Sequence, residues 1–193
     1  MLEILWHDIS DVVIYIPNGV MVGLLWMLVH FGYTKYNGNP WRFRQALIQL
    51  LFACYVVVLI KTALLSREPG SRNGIDLRLF STWGYTRQAH AYVIENIIMF
   101  LPFGFFLPFV HKKSTFLTSF GYGFFFSLCI ETIQLLTKRG YFQVDDIVTN
   151  TLGALIGYLT GRLLTGILPG GSFDIRKGIA SVVHRRSGGR KEL

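Results

Sequence analysis

Five uninterrupted apolar stretches limit what this chain can fold into. They run approximately from Val12 to Phe31, Ala46 to Leu65, Ala91 to Val110, Thr115 to Thr137 and Asp146 to Leu168. Each is close to the roughly 20 helical residues that cross about 30 Å of hydrocarbon. Inside lipid, backbone polar groups are satisfied only in helices or closed barrels, and continuous runs without alternation select helices. The fold class that follows is all-α: an integral membrane bundle of about five transmembrane helices. Acidic residues (Glu3, Asp8, Asp11) precede the first stretch and no basic segment does, so it reads as a retained helix rather than a cleaved signal. Pro17, Pro102 and Pro108 predict kinks or local unwinding, and Pro169 with Gly170-Gly171 ends the last stretch.

The chain carries 16% charged residues, where a soluble domain carries about a quarter, and its formal charge is +8. The basic residues lie between and after the apolar runs, which points to an anionic membrane surface and away from nucleic acid. With 193 residues there is room for one compact unit, a transmembrane domain over 1–170 followed by a basic tail over 171–193. In the tail, Ile175, Ile179, Val182 and Val183 fall at helical spacing among basic residues and predict an amphipathic helix on the inner leaflet. Connections on one side carry eleven Lys and Arg against six on the other. The positive-inside rule then predicts an external N-terminus and a cytoplasmic C-terminus. Cys54 and Cys129 read as small core residues, the five histidines show no ligand spacing, and neither a metal site nor a cofactor is expected.

The informative residues are polar ones inside apolar helices. Ser127, Glu131, Gln134 and Lys138 recur at intervals of four, three and four, hence on one helix face. A carboxylate there costs roughly 2.5–3.5 kcal/mol, so Glu131 needs a partner such as Lys61 or Arg67; the plain alternative is a structural ion pair. Asp146, Asn150, Gly153, Gly157 and Gly161 form a second stripe. Its glycines let another helix backbone approach, and its upper part aims a carboxylate and an amide the same way. Asp146 could equally serve as a cap at the helix start. Of the adjacent pair Glu95 and Asn96, Asn96 is expected to face inward, and kinking accounts for Pro102 and Gly104. Pro102 frees a carbonyl near Ile98 for a polar partner.

With this topology Arg67, Asn96, Glu131, Gln134, Arg139, Asp145, Asp146 and Asn150 gather near the outer face, while the inner halves of the helices stay apolar. That asymmetry disfavours a transport path and favours an outward-facing polar pocket. The long connection from Ser66 to His90 mixes apolar and charged residues and is expected on the outer interface.

At these residues the chain resembles the VanZ-like family, membrane proteins named for a glycopeptide (teicoplanin) resistance determinant. The resemblance spans roughly Arg67 to Gly161. It rests on Asn96-Ile-Ile-Met-Phe-Leu-Pro-Phe-Gly104, Glu131-Thr-Ile-Gln134, Arg139 and Asp145-Asp-Ile-Val-Thr-Asn-Thr-Leu-Gly153 followed by Gly157. In Ile75-Asp-Leu-Arg-Leu-Phe80, Asp76 stands where Asn is usual and Leu79 where Pro is usual. The resemblance implies an envelope role in a bacterial cytoplasmic membrane, associated with antibiotic resistance. Two readings of the cluster stay open. One is a binding pocket for a lipid headgroup, a lipid-linked envelope precursor or a lipoglycopeptide. The other is a membrane enzyme with Glu131 and Asp146 as acid and base and an arginine holding an anionic group.

Overall fold

The computed structural model describes residues 12–167 apart from 66, 71, 72, 85 and 112. The expected tail helix, the acidic N-terminal residues, Arg72 and Lys112 lie outside these residues. Five long helices are present: α1 Ile16–Tyr36, α2 Phe43–Ile60, α3 Arg87–Val110, α4 Phe116–Leu136 and α5 Val144–Ile167. A 3-10 turn, Val13–Tyr15, leads into α1, and Pro17 sits in the first turn of the helix, where a missing N–H costs nothing. A π-helical turn, Lys61–Leu65, widens the end of α2. The helix α3 runs unbroken through Pro102 and Pro108. Thr86 caps α3 by accepting from Ala89 N, and Thr115 and Thr118 form a reciprocal capping box at the start of α4.

Among the described residues, four helices are long and apolar enough to cross a membrane: Val13–Tyr36, Phe43–Leu65, Arg87–Val110 and Phe116–Leu136. The helix α5 has comparable length but a more polar composition, rich in Gly and Thr. Its position explains this. It packs most extensively of all on α3 and also on α4, so much of its surface meets protein rather than lipid. The lipid-facing α1, by contrast, buries only Gly19 and Gly23. Cys54 is half-buried, while Cys129 is exposed and is not the core residue expected.

The α3–α5 contact is a backbone contact. A Cβ at Gly157 would overlap the Leu101 carbonyl, and Gly153 and Gly161 meet the carbonyls of Ile97 and Phe105 one turn to either side. Gly104 answers from α3, where a Cβ would strike the Ala154 carbonyl. Kinking is therefore not the main reason for Gly104; close approach is. The paired residues ascend together in number, so α3 and α5 run parallel.

Between α2 and α3 the chain makes a two-residue parallel pairing with the link between α4 and α5: β1, Ile75–Asp76, beside β2, Phe142–Gln143. The end of α4 departs from the expected stripe. Lys138 N donates to Leu135 O at 3.1 Å and Arg139 N to Gln134 O at 2.8 Å. With Lys138 at φ 54, this is a Schellman closure with lysine in the left-handed position usually held by glycine. Ser127, Glu131 and Gln134 are buried, whereas Lys138 turns outward, exposed.

Gly157→Leu is expected to lower stability by roughly 3 kcal/mol or more, since backbone cannot yield as side chains do. Leu163→Ala, at an exposed position of α5, should change it little. Thermal unfolding of the two purified variants, followed by circular dichroism, separates them.

Candidate functional site

The polar residues of four helices converge at one end of the bundle, where α2 and α4 finish and α3 and α5 begin. At about 1.5 Å per residue, Glu131 lies some 8 Å below the end of α4 and Asn150 some 9 Å into α5. Here a cavity of about 320 Å³ opens between the helices. Its polar wall consists of Thr62, Arg67, Glu95, Asn96, Glu131, Gln134, Asp146 and Asn150. Its apolar wall includes Tyr55, Val58, Leu59, Ile98, Met99, Pro102 and Ile130.

Six of the eight residues singled out from sequence thus line one hollow. Asn96 Nδ2 donates to Asp146 Oδ1 at 2.9 Å, and the N–H of Gln143 donates to Glu131 Oε2 at 3.0 Å. Asn150 Nδ2 donates to Ser127 Oγ at 2.9 Å, and Gln134 Nε2 to the carbonyl of Ala63 at 2.9 Å. The latter acceptor is in the π-helical turn that ends α2. Arg67 lies near enough to interact electrostatically with both Glu131 and Asp146, and the two carboxylates also interact with each other.

The other two candidates face elsewhere. Arg139 Nη1 donates to the carbonyls of Leu64 at 3.0 Å and Arg67 at 2.9 Å, tying the exit of α2 to the end of α4. Asp145, only 2% exposed, accepts from Phe80 N at 2.6 Å, Thr82 N at 2.9 Å and Thr82 Oγ1 at 2.8 Å. It is the staple of the α2–α3 connection and holds Phe80 at φ 63, a backbone region rare for a bulky side chain. Lys61 is likewise turned away, its Nζ 5.7 Å from the centre of the Tyr15 ring. Asp76 closes its own turn: the Arg78 side chain and N–H and the Ser81 hydroxyl all donate to it. These bonds, with the Arg78 side chain first, hold its carboxyl below the usual carboxylate range.

Glu95, expected nearer the interface than Asn96, lines the cavity beside it. Adjacent helical residues diverge by about 100°, and the hollow is wide enough to reach both. The polar partner near Pro102 is the Tyr55 hydroxyl, which donates to the Met99 carbonyl, one residue beyond the expected Ile98. Among the described residues, no group of three or more His, Cys, Asp or Glu is placed to hold a metal ion.

Asp145→Ala removes the acceptor of two backbone N–H groups and should cost on the order of 2–4 kcal/mol. Asp145→Asn, with one acceptor turned into a donor, should recover only part. Limited proteolysis within residues 73–86 of protein in membranes measures this as faster cleavage; unchanged cleavage in Asp145→Ala would show that the staple does not hold the connection.

A family profile described as VanZ/LLP1 matches residues 19–165, which include α2 to α4 and nearly all of α1 and α5. Protein VanZ of Enterococcus faecium is 31% identical over 114 residues, covering 55% of this chain and 68% of that protein. No solved structure is significantly similar. The matched region contains the helices, the stapled connection and the cavity, and the chain belongs to the VanZ/LLP1 family.

Proposed function

We propose that this is a bacterial cytoplasmic-membrane protein of five spans that binds the polar part of a membrane amphiphile and thereby lowers the effect of glycopeptides such as teicoplanin. In this reading α5 is the fifth span, the N-terminus and the cavity end face outward, and the C-terminal tail is cytoplasmic. The observation that carries it is the two-sided cavity. A wall of carboxylates, amides and one guanidinium faces a wall of aliphatic and aromatic groups, at a depth where a headgroup and the start of its chain would lie. Ile75, Leu77, Leu79, Phe80 and Trp83 are exposed on the stapled connection, and Phe80 and Trp83 stack edge to face at 5.0 Å. Such residues suit the membrane–water boundary above the cavity. The occupant is a lipid headgroup, a lipid-linked envelope precursor or the lipoglycopeptide itself. Lipid supplies the other partner, along the apolar faces of α1 to α4.

A second reading rests on the two interacting carboxylates: Glu131 and Asp146 as acid and base of an enzyme acting on a lipid-linked envelope substrate, with Arg67 on an anionic group.

Expression in a susceptible bacterium separates the two. Binding predicts that wild type raises the teicoplanin concentration needed for killing, with vancomycin as the companion measurement. It further predicts graded losses in Arg67→Ala, Asn150→Ala, Glu131→Gln and Asp146→Asn. Catalysis predicts total loss in Glu131→Gln or Asp146→Asn at unchanged membrane abundance. If all four variants insert normally and protect as well as wild type, the cluster is structural and both readings fail.

A further inference from the structure

The hydrogen-bonding direction of the cavity identifies what it can take. Its amide donors are committed within the protein. Asn96 Nδ2 serves Asp146, Gln134 Nε2 serves the Ala63 carbonyl, and Asn150 Nδ2 serves Ser127. The Ala63 carbonyl can only accept, which fixes the Gln134 amide with its oxygen pointing the other way. That oxygen, Oε1, and Oδ1 of Asn150 are both buried without a hydrogen-bond partner. Their side chains are 4% and 2% exposed, and both line the cavity.

Glu131 uses Oε2 for the Gln143 N–H, and Asp146 uses Oδ1 for Asn96. Among the described residues the second oxygen of each carboxylate takes no hydrogen bond. Among the described residues the acids Glu131 and Asp146 line the cavity beside the guanidinium of Arg67. Buried acceptors without donors are costly, at about 1–3 kcal/mol each, and a ligand that donates removes the cost. An anionic group held by Arg67 would leave the two amide oxygens unpaired and place carboxylates against it.

We propose that the cavity binds a primary ammonium group, its N–H donors shared among Gln134 Oε1, Asn150 Oδ1, Glu131 and Asp146, while the aliphatic wall receives the carbon chain that bears it. This rests on the binding reading above and names the chemistry of the occupant. The ammonium can belong to a lipid headgroup or to a freely diffusing amine, which share these donors.

The test uses the full chain in phosphatidylcholine nanodiscs, whose headgroups carry no N–H, with empty discs as the baseline. Four probes with the same twelve-carbon chain are compared: dodecylammonium, dodecyltrimethylammonium, dodecanol and dodecyl sulfate. Dodecylammonium is expected to bind at least about tenfold more tightly than each of the others, the size of one hydrogen bond to a charged group. Glu131→Gln and Asp146→Asn should each reduce that preference. Gln134→Leu, which removes an orphan acceptor and no charge, should weaken dodecylammonium and leave dodecyl sulfate unchanged. Ethanolamine as competitor identifies the source: displacement at similar concentration points to free amines, and its failure to compete points to a chain-bearing one.

Equal binding of dodecylammonium and dodecyltrimethylammonium, or tightest binding of dodecyl sulfate, overturns the ammonium assignment while leaving an amphiphile site in place. No binding of any probe above empty discs overturns the site as well. Because the probe series needs only the unaltered protein, a variant that does not insert leaves the test standing.

Discussion

Everything at the polar end of this protein depends on how closely α5 lies against α3. Within lipid there is little hydrophobic gain from pairing two apolar helices, so association rests on packing and on polar contacts between them. Gly153, Gly157 and Gly161 set α5 against the carbonyls of Ile97, Leu101 and Phe105, with Gly104 reciprocating toward Ala154. At one end of this seam the same approach leaves Asn96, next to Ile97, and Asp146, two turns before Gly153, within 2.9 Å of each other. Larger residues along the seam would push the helices apart and leave both polar groups to find other partners in hydrocarbon.

A second layer of contacts turns that helix pair into a hollow. Arg139 and Gln134 hold the π-helical exit of α2 through the carbonyls of Ala63, Leu64 and Arg67. Asp145 fastens the α2–α3 connection through Phe80 and Thr82. Neighbouring carboxylates on α5 therefore do different work: Asp145 organises a loop and Asp146 faces the cavity. The glutamine and asparagine side chains orient by what their nitrogens can reach, and their oxygens are left buried without a partner. A cavity of this kind is prepared for a donor before any ligand arrives, which reduces the reorganisation that binding requires.

Much of the fold is legible in the sequence, because its strongest constraints are local. Continuous apolar runs identify the helices to within a few residues, although α3 begins at Arg87 rather than Ala91. The spacing of Asp146, Asn150 and the glycines places them on one face without any knowledge of the neighbour. What stayed hidden depends on residues far apart in sequence. The bonds of Arg139 to Leu64 and of Asp145 to Phe80 join positions 75 and 65 apart. Neither has a periodic signature, so chemistry alone groups both residues with the cavity. Lys138 leaves the expected stripe for a different reason: heptad-like spacing continues past the true helix end, and a lysine in the left-handed position gives no sign of a stop where a glycine would.

In the proposed orientation the hollow between the helices opens toward the exterior. Val58, on the apolar wall, offers a position that disturbs none of the polar contacts. With Cys54 and Cys129 replaced by alanine, Val58→Cys can be exposed to a membrane-impermeant cationic thiol reagent, in intact cells and in inverted membrane vesicles. Rapid modification is expected in intact cells and little in inverted vesicles. Modification only in the inverted vesicles would place the cavity on the cytoplasmic side and contradict that orientation.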